Sequence, residues 1–356
     1  MWKWLKRIGA LLVIAVVACA IPILWVETQC IGRLPKAQST YQPILPAEHR
    51  RNLVDTYLTY PEWSIVHAYE DFAGVVKQKS ESEFRYIESI RGVWRNLCEV
   101  SAIADSKGAI TTDIKATLYI IGISFAGEMG VKGAYETTIG KVTEWTRGSS
   151  RTAEDEFALK VAEDYAKFLQ QTPWYEFPFG ATLSRFWSET PLSGGNYIRK
   201  IERRFALSME YGVKAIYAKL IAQAAALAPA ALTIRSVLAI DESDIAAVRD
   251  IKLIEKRADG SMVVETPRYR AFTRILLALA DRGRNFVEIA GNDEIFITAL
   301  GEDRLEHVSG GPLFSTRIQA RPGWIRLGIS LPVKELAAFM RGIKASKAEF
   351  EHVYDY

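Results

Sequence analysis

Residues 8–26 read IGALLVIAVVACAIPILWV without a charge, and no other stretch restricts the architecture so strongly. At 1.5 Å rise per residue, a helix of these 19 residues spans roughly 28 Å, close to the hydrocarbon thickness of a bilayer. Trp2 and Trp4 flank one end and Trp25 the other, where indole rings favour the headgroup boundary. Lys3, Lys6 and Arg7 precede the run, and Glu27 is the first charge after it. The positive-inside rule then leaves residues 1–7 in the cytoplasm and puts everything past residue 26 outside it. Two readings compete with an uncleaved anchor. ACA, ending at Ala20, fits a signal-peptidase site, and VVAC, ending at Cys19, fits a lipobox that would lipidate that cysteine. Both must account for the apolar residues that continue to Val26. All three put the body outside the cytoplasm; the anchor reading makes this a single-pass protein of the bacterial inner membrane, facing the periplasm.

An oxidising compartment changes the meaning of the cysteines. With Cys19 in the apolar run, Cys30 and Cys98 remain as one candidate disulfide, against the alternative of two unrelated thiols. No CxxC or Cys/His cluster occurs, so the sequence offers no metal site, and no cofactor is indicated. The net charge of +3 is small and its basic residues are dispersed, which argues against nucleic acid as a partner.

Residues 27–53 read as a tether, because Pro35, Pro43 and Pro46 forbid a continuous helix. Residues 54–232 carry helical periodicity, with helices expected over 154–171 and from about 197 to 227. The second of these is apolar over 215–232 apart from Lys219 and Gln223, and the central lysine argues for a bundle helix over a second span. ATLYIIGISFAG, residues 116–127, is too short to cross a bilayer. In residues 233–356 the period changes, and two stretches about 65 residues apart share one layout: strand, tight turn, strand, proline, helix, strand. The turns hold Asp259-Gly260 and Pro322-Gly323, and Pro267 and Pro332 fall at helix starts. DEIFITAL, residues 293–300, adds a strand after the first unit. The fold class is therefore α+β: a transmembrane helix, a helical domain, and a tandem ββαβ domain with an antiparallel sheet and helices on one side.

In element order, the C-terminal third resembles the duplicated ββαβ units of gyrase-inhibitor-type effector-binding domains and of the related SOUL haem-binding fold. That resemblance implies a ligand cleft between the halves. YLTYPEWSIVHAYEDFA, residues 57–73, resembles a segment of uncharacterised, singly anchored bacterial membrane proteins and implies no activity.

The same segment holds the main candidate site. At 100° per residue, Ile65, Tyr69, Phe72 and Val76 form one face of a helix, while Trp63, His67, Glu70 and Gly74 form the opposite stripe with Asp71 beside it. A large indole on that stripe calls for a cover. The expected cover is the long helix after Asn196, with Arg203 or Lys214 pairing to Glu70 or Asp71. On that helix Arg199, Arg203, Glu210 and Lys214 share a stripe, read as a solvated salt-bridge face or as a site for anionic groups. Gly122–Ala126 has the small-x-Ser-x-small form of a nucleophile elbow, so Ser124 with Asp303 or Glu306 and His307 or His352 is the candidate for a serine hydrolase. Packing gives the other reading of Ser124, as a small residue at a close helix contact. TPWYEFPFGATLSRFW, residues 172–187, places Trp174, Tyr175 and Trp187 either at the membrane interface or in a plug between helices. The resulting expectation is a membrane-anchored protein that binds a small-molecule ligand or a membrane protein partner without catalysis. A hydrolase using Ser124 and a structural subunit of a membrane complex are its rivals.

Overall fold

An uncharged run with alanine and leucine throughout favours a helix, and the computed structural model, which describes residues 2–37, 39–225, 231–302, 311–344 and 347–356, has one continuous helix there, α1 (Trp2–Gln29). Val16, Val17, Ile21 and Leu24 are exposed along it, and Val26 is buried at its end. By length and composition alone, the described helix that could cross a membrane is Thr112–Arg147, while Val16–Gln29 is a shorter apolar stretch. Immediately after α1, Cys30 is disulfide-bonded to Cys98, with their Cα atoms 5.3 Å apart.

The segment read as a tether is laid along the body. Lys36 pairs with Asp105 at 2.8 Å, and the buried Glu288 accepts bonds from the Tyr41 hydroxyl at 2.6 Å and from the Leu45 amide at 2.9 Å. Leu45 is buried against Val237 and Val263. Prolines rule out a helix here, but they leave an extended strap free to bury Ile44 and Leu45.

The helical region comprises α2 (Leu53–Leu58), α3 (Tyr60–Gln78), α4 (Tyr86–Lys107), α5 (Thr112–Tyr135), α6 (Lys141–Arg147), α7 (Ala153–Leu169), α8 (Phe179–Glu189) and α9 (Tyr197–Ala225). Thr152 and Asp155 form a capping box at the start of α7. Thr59 and Glu62 have the same spacing but form none: Thr59 is itself helical, and its hydroxyl donates to the Asp55 carbonyl at 2.8 Å. A π-helical turn, Glu136–Gly140, joins α5 to α6. The stretch that looked too short to span is thus part of a 36-residue helix.

The stripe on α9 is the reverse of a solvated face. Arg199 and Arg203 are 1% and 0% exposed. Arg203 is held by Glu136 at 2.9 Å and by Glu202; Arg199 is held by Asp155 at 2.9 Å and Glu202 at 3.1 Å. Their partners come mostly from α7 and the turn after α5, distant in sequence, so spacing along α9 alone gave no warning of burial.

The C-terminal third is two units. The first holds β1 (Thr233–Ala239), α10 (Glu242–Ala247), β2 (Lys252–Lys256), β3 (Met262–Pro267), α11 (Tyr269–Asp281) and β4 (Asn285–Ile289). The second holds β5 (Glu294–Glu302), β6 (Phe314–Arg317), β7 (Trp324–Pro332), α12 (Val333–Ile343) and β8 (Ala348–Tyr354). Their antiparallel sheets have matching orders, β2-β3-β1-β4 and β6-β7-β5-β8. One correction to the sequence reading follows: there are two sheets where one was expected. DEIFITAL is a strand after the first unit, as expected, and as β5 it belongs to the second sheet. Moreover, α11 packs along β8 and α12 along β4, so each helix lies beside the last strand of the other unit. Phe272, Leu276, Leu336 and Met340 from those helices share one core with Val264, Ile295 and Ile297 from the sheets.

The turn between β6 and β7 docks on α3. Asp71 accepts from the Gln319 amide at 3.0 Å, and a Cβ added at Gly74 would stand 2.5 Å from the Ala320 Cβ. Helix propensity alone makes Gly74→Ala stabilising by up to about 1 kcal/mol. Because the added methyl forces this docking apart, we expect a loss of about 1–3 kcal/mol instead, read by urea unfolding.

Candidate functional site

Pro61 in its first turn starts α3, and the helix carries Trp63, His67 and Glu70 on one stripe. The cover on that stripe is β8, not α9. The Trp63 indole, 5% exposed, stacks on the His352 ring with centroids 3.6 Å apart and meets the Tyr354 ring edge-on at 6.1 Å. His67 Nδ1 lies 2.8 Å from a Glu70 oxygen, and its Nε2 lies 3.3 Å from the Tyr354 hydroxyl and 3.7 Å from Glu351. Glu351 takes a bidentate pair of bonds from Arg326 at 2.6 and 2.7 Å, and Glu70 accepts from Gln170 at 2.7 Å.

A bulge in β8 makes this geometry possible. Thr298 pairs with His352 and Ala299 with Phe350, so Glu351 is the extra residue, turned out of the alternation. Burial pushes its carboxyl up, but Arg326 and His67 outweigh burial and hold it at about 2. Burial, with His67 and Arg270 nearby, holds the His352 imidazole well below its ordinary 6.5. His352 Nδ1 lies 3.0 Å from the Thr273 hydroxyl, and its Nε2 has no described partner. A histidine that titrates lower when folded confers stability that is complete above pH 6.5 and lost as the pH falls. We expect thermal stability to decline below pH 6.5 at up to about 1.4 kcal/mol per pH unit for this group. His352→Phe should flatten the decline between about pH 5 and 6.5, while the Glu351 contribution, lost between about 4.5 and 2, persists. Melts of both proteins across that range check it, and parallel curves would contradict the assignment.

Ligand atoms of His67, Glu70 and Glu351 lie within 4.8 Å of one another, a spacing that suits a metal. Oxygens of both carboxylates are already engaged, by Arg326 and by Gln170, and the guanidinium sets a positive charge against any cation. The group is better suited to hydrogen bonding and charge relay than to metal ligation.

Beside it opens a cleft of about 1080 Å³ between α3, α4 and the β6–β7 hairpin. His67, Asp71 and Arg326 line its floor; Arg91 and Arg95 from α4 and Arg317 from β6 line its mouth. Burial raises the Asp71 carboxyl above its usual value, against the pull of Arg326 and of the amides it caps. Arg91, Arg95 and Arg317 are exposed and form no ion pair with any described residue. Sequence reasoning missed this cleft, although two arginines four apart on one helix were its local signal.

The other candidates lie elsewhere. Arg203 and Lys214 are inside the bundle, on a small space of about 40 Å³, and Lys214 pairs with Glu128 at 2.7 Å. Neither meets Trp63, His67 or Glu70. Ser124 lies in the interior of α5 with no strand before it and is exposed, which also removes it from any close helix contact. Ser124→Leu should therefore change stability by no more than about 0.5 kcal/mol in denaturant titration. Of its suggested partners, His352 is buried under Trp63, and Asp303, Glu306 and His307 lie outside the described residues. Trp174 is half-buried against Tyr217 with ring centroids 5.2 Å apart, Tyr175 is half-buried, and Trp187 stays exposed while bonding Ser208 at 3.1 Å. Between them Phe177 and Phe179 form the plug, against Tyr165. Set beside protein-family models, curated proteins and solved structures, the chain matches none.

Proposed function

We propose that this chain is a membrane-tethered binding protein of the bacterial envelope, N-terminus cytoplasmic and body periplasmic, whose cleft takes an anionic ligand without transforming it. The observation that carries the reading is the trio Arg91, Arg95 and Arg317 at the mouth of the cleft, three positive charges without a described counter-ion. Guanidinium groups bind carboxylate and phosphate oxygens in bidentate pairs, and several converging on one cleft favour a ligand with more than one negative charge. Tyr60, Asn96 and Thr316 add polar groups on the walls, and Asn96 already accepts from Thr316 at 3.0 Å. The cleft lies between the second unit and the helices, so it differs from the one that a gyrase-inhibitor-type domain would hold between its halves.

Calorimetric titration of the detergent-solubilised full chain with pyrophosphate and with citrate tests this. Binding of either should be lost when Arg91, Arg95 and Arg317 are all replaced by alanine. No binding by the unaltered protein, or equal binding by the triple variant, would defeat the reading.

A further inference from the structure

The helix pair of α5–α6 and α9 is built inside out. The two run antiparallel, joined by Lys214 to Glu128, Lys132 to Glu210 and Arg203 to Glu136, with Arg199 donating to the Gly140 carbonyl. These charges face inward. Outward, Ile198, Ile201, Phe205, Val213, Ile216 and Leu220 of α9 are each 58–67% exposed, a stripe at helical spacing. On α5–α6, Ile120, Val131, Ile139, Val142 and Trp145 are 53–88% exposed. The only exposed charge over residues 197–220 is Lys219, and over 116–146 it is Lys141. Other helices of the bundle behave as water-soluble helices do: α7 exposes Glu156, Lys160, Asp164 and Lys167.

Water does not suit such a face, because contiguous apolar patches of this extent are rare on soluble monomers. A protein partner is recognised through some directional groups, roughly one hydrogen bond per 100–200 Å². The exposed hydroxyls of Thr117, Thr137, Thr138 and Thr146 already donate to carbonyls of their own helix, which leaves the face few directional groups and suits a non-directional solvent. Its place in the fold agrees: Glu27, at the end of α1, meets Lys115 at 2.8 Å and Tyr119 at 2.6 Å, so α1 joins the body at the start of α5. Trp145, Trp187, Tyr197 and Tyr217 are exposed on α6, α8 and α9, and such amphipathic rings suit a headgroup layer.

We infer that the outer face of α5–α6 and α9 rests in the lipid bilayer, a second membrane contact that holds the body side-on. The inference adds to the proposed function, and rests on it only in needing the bilayer that α1 brings near; the cleft plays no part in it. In a Cys19→Ser background, single cysteines are introduced as Val131→Cys, Phe205→Cys, Val17→Cys and Lys160→Cys, each labelled with an environment-sensitive fluorophore in full-length protein. The proteins are reconstituted in phosphatidylcholine vesicles and exposed to doxyl-labelled lipid or to aqueous iodide. We expect labels at 131 and 205 to follow position 17, quenched several-fold more by doxyl lipid than by iodide, with position 160 showing the reverse. If 17 follows lipid while 131 and 205 follow iodide, the inference fails and the anchor stands. If 17 also follows iodide, both fail. Labels at 131 and 205 that resist both quenchers, in protein that cross-links through Phe205→Cys, would assign the face to a second copy and overturn the inference as well.

Discussion

Trp63→Ala is expected to lower the free energy of unfolding by about 3–5 kcal/mol, read by guanidinium titration of the full chain in detergent. The indole fills the joint between α3 and β8, stacked on His352 and edge-on to Tyr354, so truncation leaves a void that two structural units must close together. It also loosens the site above the cleft floor, because His67 and Tyr354 hold each other's position across that joint. A loss below about 1 kcal/mol would mean that the two units are not energetically joined there. His67→Ala removes a smaller group and leaves Glu70 with Gln170 as its partner, so a loss of about 1–3 kcal/mol is expected.

A change of similar size is expected far from the cleft. Arg203→Met should cost about 3–5 kcal/mol, because Glu136 would stay buried without its counter-charge, while Glu202 would keep only that of Arg199. The sign can be checked by rescue. Adding Glu136→Gln to Arg203→Met removes the stranded charge and should recover a large part of the loss. Thermal melts of the single and double variants decide the matter. A single variant as stable as the unaltered protein would show that the network adds no stability.

What the sequence revealed, and what it hid, divide along a physical line. Features set by neighbours in the chain were legible. The turn at Asp259-Gly260, the proline before α12 and the periodicity of α7 all depend on residues within a few positions of one another. Contacts between distant segments were not. The stripe of Trp63, His67 and Glu70 was visible on α3, but its cover is β8, nearly 290 residues away, and nothing in α3 distinguishes β8 from α9 as a partner. The bulge at Glu351 was hidden for a related reason: a strand's alternation predicts which side a residue faces until a partner strand skips one. The inverted polarity of α9 misled most. A helix with charges on one stripe and apolar residues on the other has the same periodicity whichever stripe faces the core. Only the acids of α7 and of the turn after α5 reveal that the charged stripe is the buried one.

The bond between Cys30 and Cys98, with the strap that follows it, also sets a standoff. Free, residues 31–52 would let their ends wander apart by a root-mean-square distance of roughly 25 Å, and the mouth of the cleft would patrol a hemispherical volume. Clamped at Cys98, Asp105 and Glu288, the same residues allow no such excursion. Whatever α1 is fixed in, the cleft stays at one altitude above it and points one way. An anionic ligand of the proposed kind would have to arrive at that altitude, and a reductant that opens the disulfide would begin to turn a fixed post into a swinging one.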